Sequence, residues 1–273
     1  MDSQINHKNE LKVAAAFNSQ SAIFDKLYSD NTIIHYKRSR VREHLLEYLK
    51  PNSKILELNA GTGDDAIYLA QFGHFIHTTD ISVGMQEKLV EKTALHNAGS
   101  SVTTELCSYT DLKKLKDEGP YDCIFSNFAG LNCTGDLDLV LSEFSRLLKT
   151  GGIAVLVMLP KFCLWESLLM VKGNFKTATR RFFSKNGRKA NIDGISFTCW
   201  YYSPGYLKRQ LRDKFNLVEI EGLCTIVPPS YIEKFPEKYP KLYSYLCRAE
   251  YKLKNTWPWK YIGDYFIVTL RKK

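Results

Sequence analysis

ILELNAGTGDDA, residues Ile55 to Ala66, is the stretch whose reading decides the fold. Its apolar start, with Lys54 in front, reads as a short buried strand over Lys54–Leu58. Asn59–Gly63 is a glycine turn, and Asp64–Phe72 has helical periodicity that stops at Gly73. Glycines in such a turn let a ligand approach the backbone, and the helix start leaves N–H groups free for an anion. Working outward, the pattern repeats. Phe75–Thr79 reads as a strand, Val83–Ala98 as a helix closed by Gly99, and Val102–Leu106 and Tyr121–Ser126 as strands. Leu137–Leu148 reads as a helix ending before Gly151-Gly152, and Ile153–Leu159 as a fifth strand. Strands joined through helices of this length form right-handed crossovers and a parallel sheet covered on both faces. The expectation is a doubly wound α/β domain whose ligand lies beyond the C-terminal strand ends, near the switch point.

The flanks are less regular. Leu11 to Leu27 is weakly helical, and Ile34 to Leu49 more strongly so, with Val41, Leu45, Leu46 and Leu49 at helical spacing. Beyond Leu159, Pro160 to Ser203 is aromatic and basic, with a hairpin expected around Asp193-Gly194. Helix Pro204–Phe215 and strand Leu217–Gly222 resume the pattern. Leu223 to Ile262 is irregular apart from a Tyr-rich helix near Lys241–Lys254, and Tyr265–Leu270 alternates like an edge strand. The expected division is an N-terminal helical lid over 1–50, an α/β core over 51–159, and cap insertions with the last strands over 160–273.

Composition narrows the function classes. Hydrophobic residues make up 44% of 273, which suits a large core. The net charge of +9 is scattered and reads as a solvated basic surface, not a nucleic-acid footprint. The seven cysteines form no CxxC pair, so neither a zinc framework nor a disulfide ladder is expected. The polar start MDSQINHKNE does not resemble a signal peptide, and the longest apolar run, Ile153 to Leu159, is too short to span a bilayer. A cytoplasmic enzyme without metal is the expectation.

Acidic residues define the ligand chemistry. Glu57 lies inside the first strand, where it would pair with an ammonium and repel a pyrophosphate. Asp64 and Asp65 open the helix and crowd the same position. Asp80, at the end of the second strand, is placed to accept both ribose hydroxyls of an adenosine. Gly61-x-Gly63-x-x-Ala66 with Asp80 also fits a dinucleotide site, so NAD stays open. The acidic pocket favours S-adenosylmethionine (SAM), which carries an ammonium, a carboxylate and a sulfonium.

These segments resemble class I SAM-dependent methyltransferases of the small-molecule, bacterial type. ILELNAGTGDDAIYLA resembles their first motif and TTDISVGM, Thr78 to Met85, their second. YDCIFSNFAGLNC, Tyr121 to Cys133, resembles the fourth strand and its loop. LLKTGGIAVLVM, Leu147 to Met158, resembles the turn and fifth strand, with Thr150 where proline is usual. The resemblance implies a mostly parallel seven-stranded sheet with an antiparallel last strand, and insertions after the fifth and sixth strands. It implies that Glu57, Asn59, Gly61 and Gly63 hold the methionine portion of SAM. Asp80 would hold the ribose, with Ile81 and Met85 flanking the adenine and Ser108, Tyr109 and Thr110 near its edge. Ser126 and Asn127 would line the floor, while Tyr28 and Arg38 cover the cofactor from the lid.

Asn132, Cys133, Trp165, Tyr201 and Tyr202 are expected to line a small-molecule acceptor pocket. His35, Glu166 and Asp264 are candidate acids or bases, against plainer readings as a surface histidine, a helix-dipole partner and a turn residue. KFCLWESLLMVKG, residues 161–173, is a candidate for transient membrane-surface contact. A nucleic-acid methyltransferase is a further reading, weakened because SNFA stands after the fourth strand in place of Asn-Pro-Pro-aromatic. A nucleotide-binding protein without methyl transfer is another.

Overall fold

The computed structural model describes residues 3–168, 181, 184 and 186–273. Its centre is a seven-stranded sheet of β1 (Lys54–Leu58), β2 (Phe75–Asp80), β3 (Val102–Leu106), β4 (Tyr121–Ser126), β5 (Leu148–Met158), β8 (Phe215–Leu223) and β9 (Tyr265–Lys272). The strand order is β3-β2-β1-β4-β5-β9-β8, and only β9 runs against its neighbours. The order reverses between β1 and β4, where Leu58 pairs with Ser126 at the C-terminal ends. A ligand site is expected at this switch point.

The pleat sorts side chains onto two faces. Leu56, Leu58, Ile124, Leu156 and Val268 pack against α6 (Leu137–Leu147) and α8 (Pro204–Leu211). Ile55, Phe125, Val155 and Ile267 pack against α3 (Thr32–Tyr48), α4 (Asp64–Gln71) and α5 (Val83–Leu95). Glu57 shares the second face, which sets a carboxylate among apolar residues.

The lid differs from the single weak helix expected over Leu11 to Leu27. α1 spans Ser3–Gln20, a turn follows, and α2 is the short Phe24–Tyr28. The Asn31 side chain then accepts from the Ile33 and Ile34 N–H groups and starts α3 two residues before the expected Ile34. α1 is fixed at several points. Asn9 bonds the backbone of Cys133 and Thr198, and Asn18 Oδ1 accepts from the Gly84 N–H. The expected hairpin forms from β6 (Arg188–Ile192) and β7 (Ile195–Cys199) and packs on α1 through Phe197 and Ile192. Beyond β8, α9 (Phe235–Lys238) leads into α10 (Pro240–Leu253). The short α7 (Leu164–Leu168) follows β5, and residues 169–173 of the expected membrane-contact segment lie outside the described residues. No helix among the described residues is long and apolar enough to cross a membrane.

Gly63 is locked by geometry. It caps α4 at φ 81°, and a Cβ there would meet Leu89 Cγ at 2.6 Å. Gly63→Ala is therefore expected to cost about 1–3 kcal/mol through left-handed strain and overpacking. Thermal denaturation checks it, and an unchanged melting temperature would contradict the packing described.

Candidate functional site

A cavity of about 400 Å³ opens at the switch point between the strand ends and the lid. Its wall contains Tyr28, Arg38, Glu57, Asn59, Gly61, Asp80, Ile81, Met85, Tyr109, Asn127 and Cys133, so most of the residues expected to meet the cofactor converge. Val13, Phe17, Phe24, Ile34 and Lys37 close it from the lid.

Glu57 is the strongest electrostatic feature. It is 2% exposed, and Oε2 has no hydrogen-bond partner among the described residues. Burial pushes its carboxyl well above the ordinary carboxylate range, and Asp65 pushes the same way against Arg38 and Arg42. A buried acceptor left unmatched is costly unless a ligand donor completes it.

The glycine turn is shaped by Asp80. Its Oδ2 accepts from the Gly61 N–H at 2.9 Å and its Oδ1 from the Ser82 N–H at 2.8 Å. Helix capping falls to Ser82, whose hydroxyl accepts from the Met85 N–H. Burial raises the Asp80 carboxyl, opposed by the backbone donors of Ser82, Gly61 and Ile81. Gly61 has φ 56°, and a Cβ built there would meet nothing within 4 Å. The turn therefore leaves open space above its backbone.

The acidic pair at the start of α4 is neutralised. Asp64 meets Arg38 at 2.7 Å and also pairs with Lys92. Burial works against its ionisation, but Arg38 and Lys92 still hold its carboxyl below the ordinary range. Asp65 accepts from Arg42 at 2.7 Å and from Asn127 at 2.7 Å. Both carboxylates of this pair are therefore matched by cations. Asn59, at φ 50°, ties the turn to β4 by accepting from Ser126 and donating to the Asn127 carbonyl. Phe128 and Ala129 follow β4 in the left-handed region, at φ 46° and 63°. Such strain in non-glycine residues gathers at functional loops. Here it sets the Phe128 ring beneath the Arg38 guanidinium, 5.0 Å from the ring centre.

Several expected residues lie elsewhere. Gly63 faces Leu89 and not the cavity. Ser108 and Thr110 are turned to Glu10 of α1, which accepts from both hydroxyls. Ser126 is spent on Asn59. Asn132 is consumed by the backbone of Leu159 and Trp200. The Tyr202 hydroxyl donates to the Thr134 carbonyl, and Tyr201 lies under Arg181. Trp165 is outside the wall, with a buried Nε1 that lacks a partner among the described residues. His35 is exposed, with Nε2 2.5 Å from the Ser29 carbonyl, in a separate surface groove. Glu166 and Asp264 flank Arg181, at 2.6 and 2.7 Å, in a buried ionic cluster that ties the first insertion to β9. Cys133 lines the cavity, but a hydrogen bond donated to Cys199 and burial raise its thiol, which disfavours a thiolate.

Lys37, Phe128, Ser230 and Tyr265 also line the cavity and were not among the expected residues. One signal could have found Lys37. It stands at helical spacing with Ile33, Val41 and Leu45, on the buried face of α3.

Comparison with known proteins agrees with the fold that carries this cavity. Residues 55–152 match the family model described as a methyltransferase domain. A demethylmenaquinone methyltransferase from Mycolicibacterium gilvum is 28% identical over 150 residues, 53% of this chain. The match spans 59% of that relative's own length. The 1,6-didemethyltoxoflavin N1-methyltransferase of Burkholderia thailandensis, solved with bound 1,6-didemethyltoxoflavin and S-adenosylhomocysteine, superposes with a TM-score of 0.58 at 15% identity, covering 98% of this chain and 90% of that one. The geranyl diphosphate C-methyltransferase of Streptomyces coelicolor, solved with Mg2+, geranyl diphosphate and S-adenosylhomocysteine, superposes with a TM-score of 0.56 at 16% identity, covering 88% and 81%.

Proposed function

We propose that this chain, whose residues 55–152 match a methyltransferase-domain family model, is a class I methyltransferase that transfers a methyl group from SAM to a small acceptor held under the lid. The observation that carries the reading is the unmatched Glu57 oxygen beside an open glycine turn and Asp80 in one cavity. Glu57 matches the ammonium of the methionine portion. Asp80 keeps lone pairs on both oxygens for the ribose hydroxyls, while Ile81 and Met85 supply apolar contact for the adenine. Arg38, already shared with Asp64, lies where a carboxylate is neutralised.

Bound SAM supplies an activated methyl on a sulfonium, whose sulfur leaves with the bonding electron pair. The protein's part is to orient, and oriented reactants gain roughly 7–11 kcal/mol over free ones. Phe17, Phe24, Phe128 and Tyr265 give the acceptor space aromatic walls and exclude water. Oxygen or carbon acceptors both suit this wall, and neither needs an acid at the leaving group. The scattered charge of +9 supports only salt-sensitive nucleic-acid binding.

Calorimetry with SAM, S-adenosylhomocysteine and NAD tests the reading. Binding of the first two in the micromolar range is expected; tight NAD binding without response to SAM would overturn it. Asp80→Ala is expected to cost about 1.5–3 kcal/mol of S-adenosylhomocysteine affinity, roughly ten- to a hundredfold. It should also lower the ligand-free melting temperature, since the Gly61 N–H loses its acceptor. Unchanged affinity in that variant would remove the ribose role.

A further inference from the structure

Two cations stand in the cavity wall. Arg38 is paired with Asp64, whereas no carboxylate lies within ion-pair distance of Lys37 among the described residues. Lys37 is 2% exposed. Its Nζ donates to Ser230 Oγ at 3.0 Å and stands 4.6 Å from the Tyr265 ring centre and 5.7 Å from that of Phe128. An ammonium has three donors, and one hydroxyl satisfies one of them. Ring faces return about 0.5–2 kcal/mol, less than the several kcal/mol lost on burying a charge. Glu250 makes no ion pair with Lys37 among the described residues; its oxygens accept from four backbone N–H groups and the Tyr36 hydroxyl. On the buried face of α3 an apolar side chain would serve packing better.

The position separates this cation from the nucleoside end. Tyr265 begins β9, beside the C-terminal end of β5, and Asp80 ends β2. Four strand spacings lie between β2 and β9 in the sheet, about 19 Å. Ser230 comes from the loop after β8. Lys37 therefore belongs to the acceptor end.

We infer that Lys37, with Ser230, is the recognition point for a single anionic oxygen group on the methyl acceptor, a carboxylate or an ionised phenol or enol. The inference rests on the methyl-transfer reading above. One uncommitted ammonium with one hydroxyl matches one negative charge. A diphosphate would bring more charge than the described wall offsets.

The test uses protein first saturated with S-adenosylhomocysteine. Calorimetric titrations then compare 2-naphthoate, the neutral 2-naphthamide and inorganic diphosphate, in wild type and in Lys37→Met. Lys37→Met keeps the stem's bulk and removes a buried charge, so folding should survive, as a melting curve checks. Expected are naphthoate binding about tenfold or more tighter than the amide in wild type, loss of that preference in the variant, and S-adenosylhomocysteine affinity within about twofold of wild type. Equal binding of acid and amide overturns the inference, as does no binding of either at millimolar concentration. Diphosphate binding tighter than naphthoate overturns the single-charge assignment. A tenfold loss of S-adenosylhomocysteine affinity in Lys37→Met would reassign the residue to the cofactor carboxylate. Failure of wild type to bind S-adenosylhomocysteine at all would sink the methyl-transfer reading itself, and so is told apart.

Discussion

Glu57→Gln is expected to stabilise the ligand-free protein while weakening S-adenosylhomocysteine about a hundredfold. Both effects come from one atom. In the free protein Glu57 Oε2 is buried without a partner among the described residues, and desolvation and Asp65 push the carboxyl well above the ordinary carboxylate range. Replacing it with a neutral isostere removes a costly ionisable group from the face shared with Ile55 and Phe125. With ligand bound, the same change leaves an ammonium opposite an amide; the amide oxygen still accepts, so the cost is about 3 kcal/mol, the low end for removing one partner of a buried ion pair. The pH dependence has a definite sign. A carboxyl whose native value is raised holds its proton after the unfolded chain has lost its own, so the native state binds more protons in that window. Its contribution to stability is therefore present at low pH and is lost as pH rises from the ordinary carboxyl range through the raised native value. Melting temperatures of wild type and variant should diverge in the variant's favour over that window, and ligand affinity of wild type should rise across it. A variant that is less stable at every pH, with unchanged affinity, would contradict this account.

Glu250→Ala should give the largest loss of stability. Glu250 sits on α10 and is 1% exposed. Its Oε2 accepts from the N–H groups of Thr225, Ile226 and Val227 at 2.8–2.9 Å, and its Oε1 from the Cys224 N–H and the Tyr36 hydroxyl at 3.0 Å. One side chain thus joins the second insertion, the end of β8 and the lid helix. Alanine leaves these buried donors unmatched, which costs about 3–5 kcal/mol. Denaturant unfolding measures it. The Lys37 and Ser230 region should loosen with it, because the loop after Val227 carries Ser230. A loss below about 1 kcal/mol would mean that other acceptors or water replace the carboxylate.

The core was legible because short apolar strands of the parallel sheet are bounded by glycine turns. β1, β3 and β4 lie where their apolar runs predict, residue for residue. Strand ends elsewhere moved because pairing, not composition, sets them. β5 begins at Leu148, earlier than the apolar run from Ile153, through its pairing with Tyr121. The cofactor end of the cavity was legible for the same reason, since Glu57, Gly61 and Asp80 sit at fixed offsets on regular elements. The acceptor end was not. Asn132, Tyr201 and Tyr202 are polar or aromatic residues that turn to satisfy backbone groups or pack beneath Arg181. Lys37, Ser230 and Tyr265 meet only after distant loops fold together. The corrected positions of Ser108 and Thr110 likewise depend on Glu10, almost a hundred residues away in sequence.

The most direct measurement of the central claim is a crystal structure of the protein with S-adenosylhomocysteine. The account predicts the ligand's ammonium within hydrogen-bonding distance of Glu57 Oε2, its ribose hydroxyls on Asp80, and its sulfur facing the space walled by Phe128, Tyr265 and Lys37. A ligand bound outside this cavity, or bound within it with Glu57 Oε2 still unmatched, would contradict it.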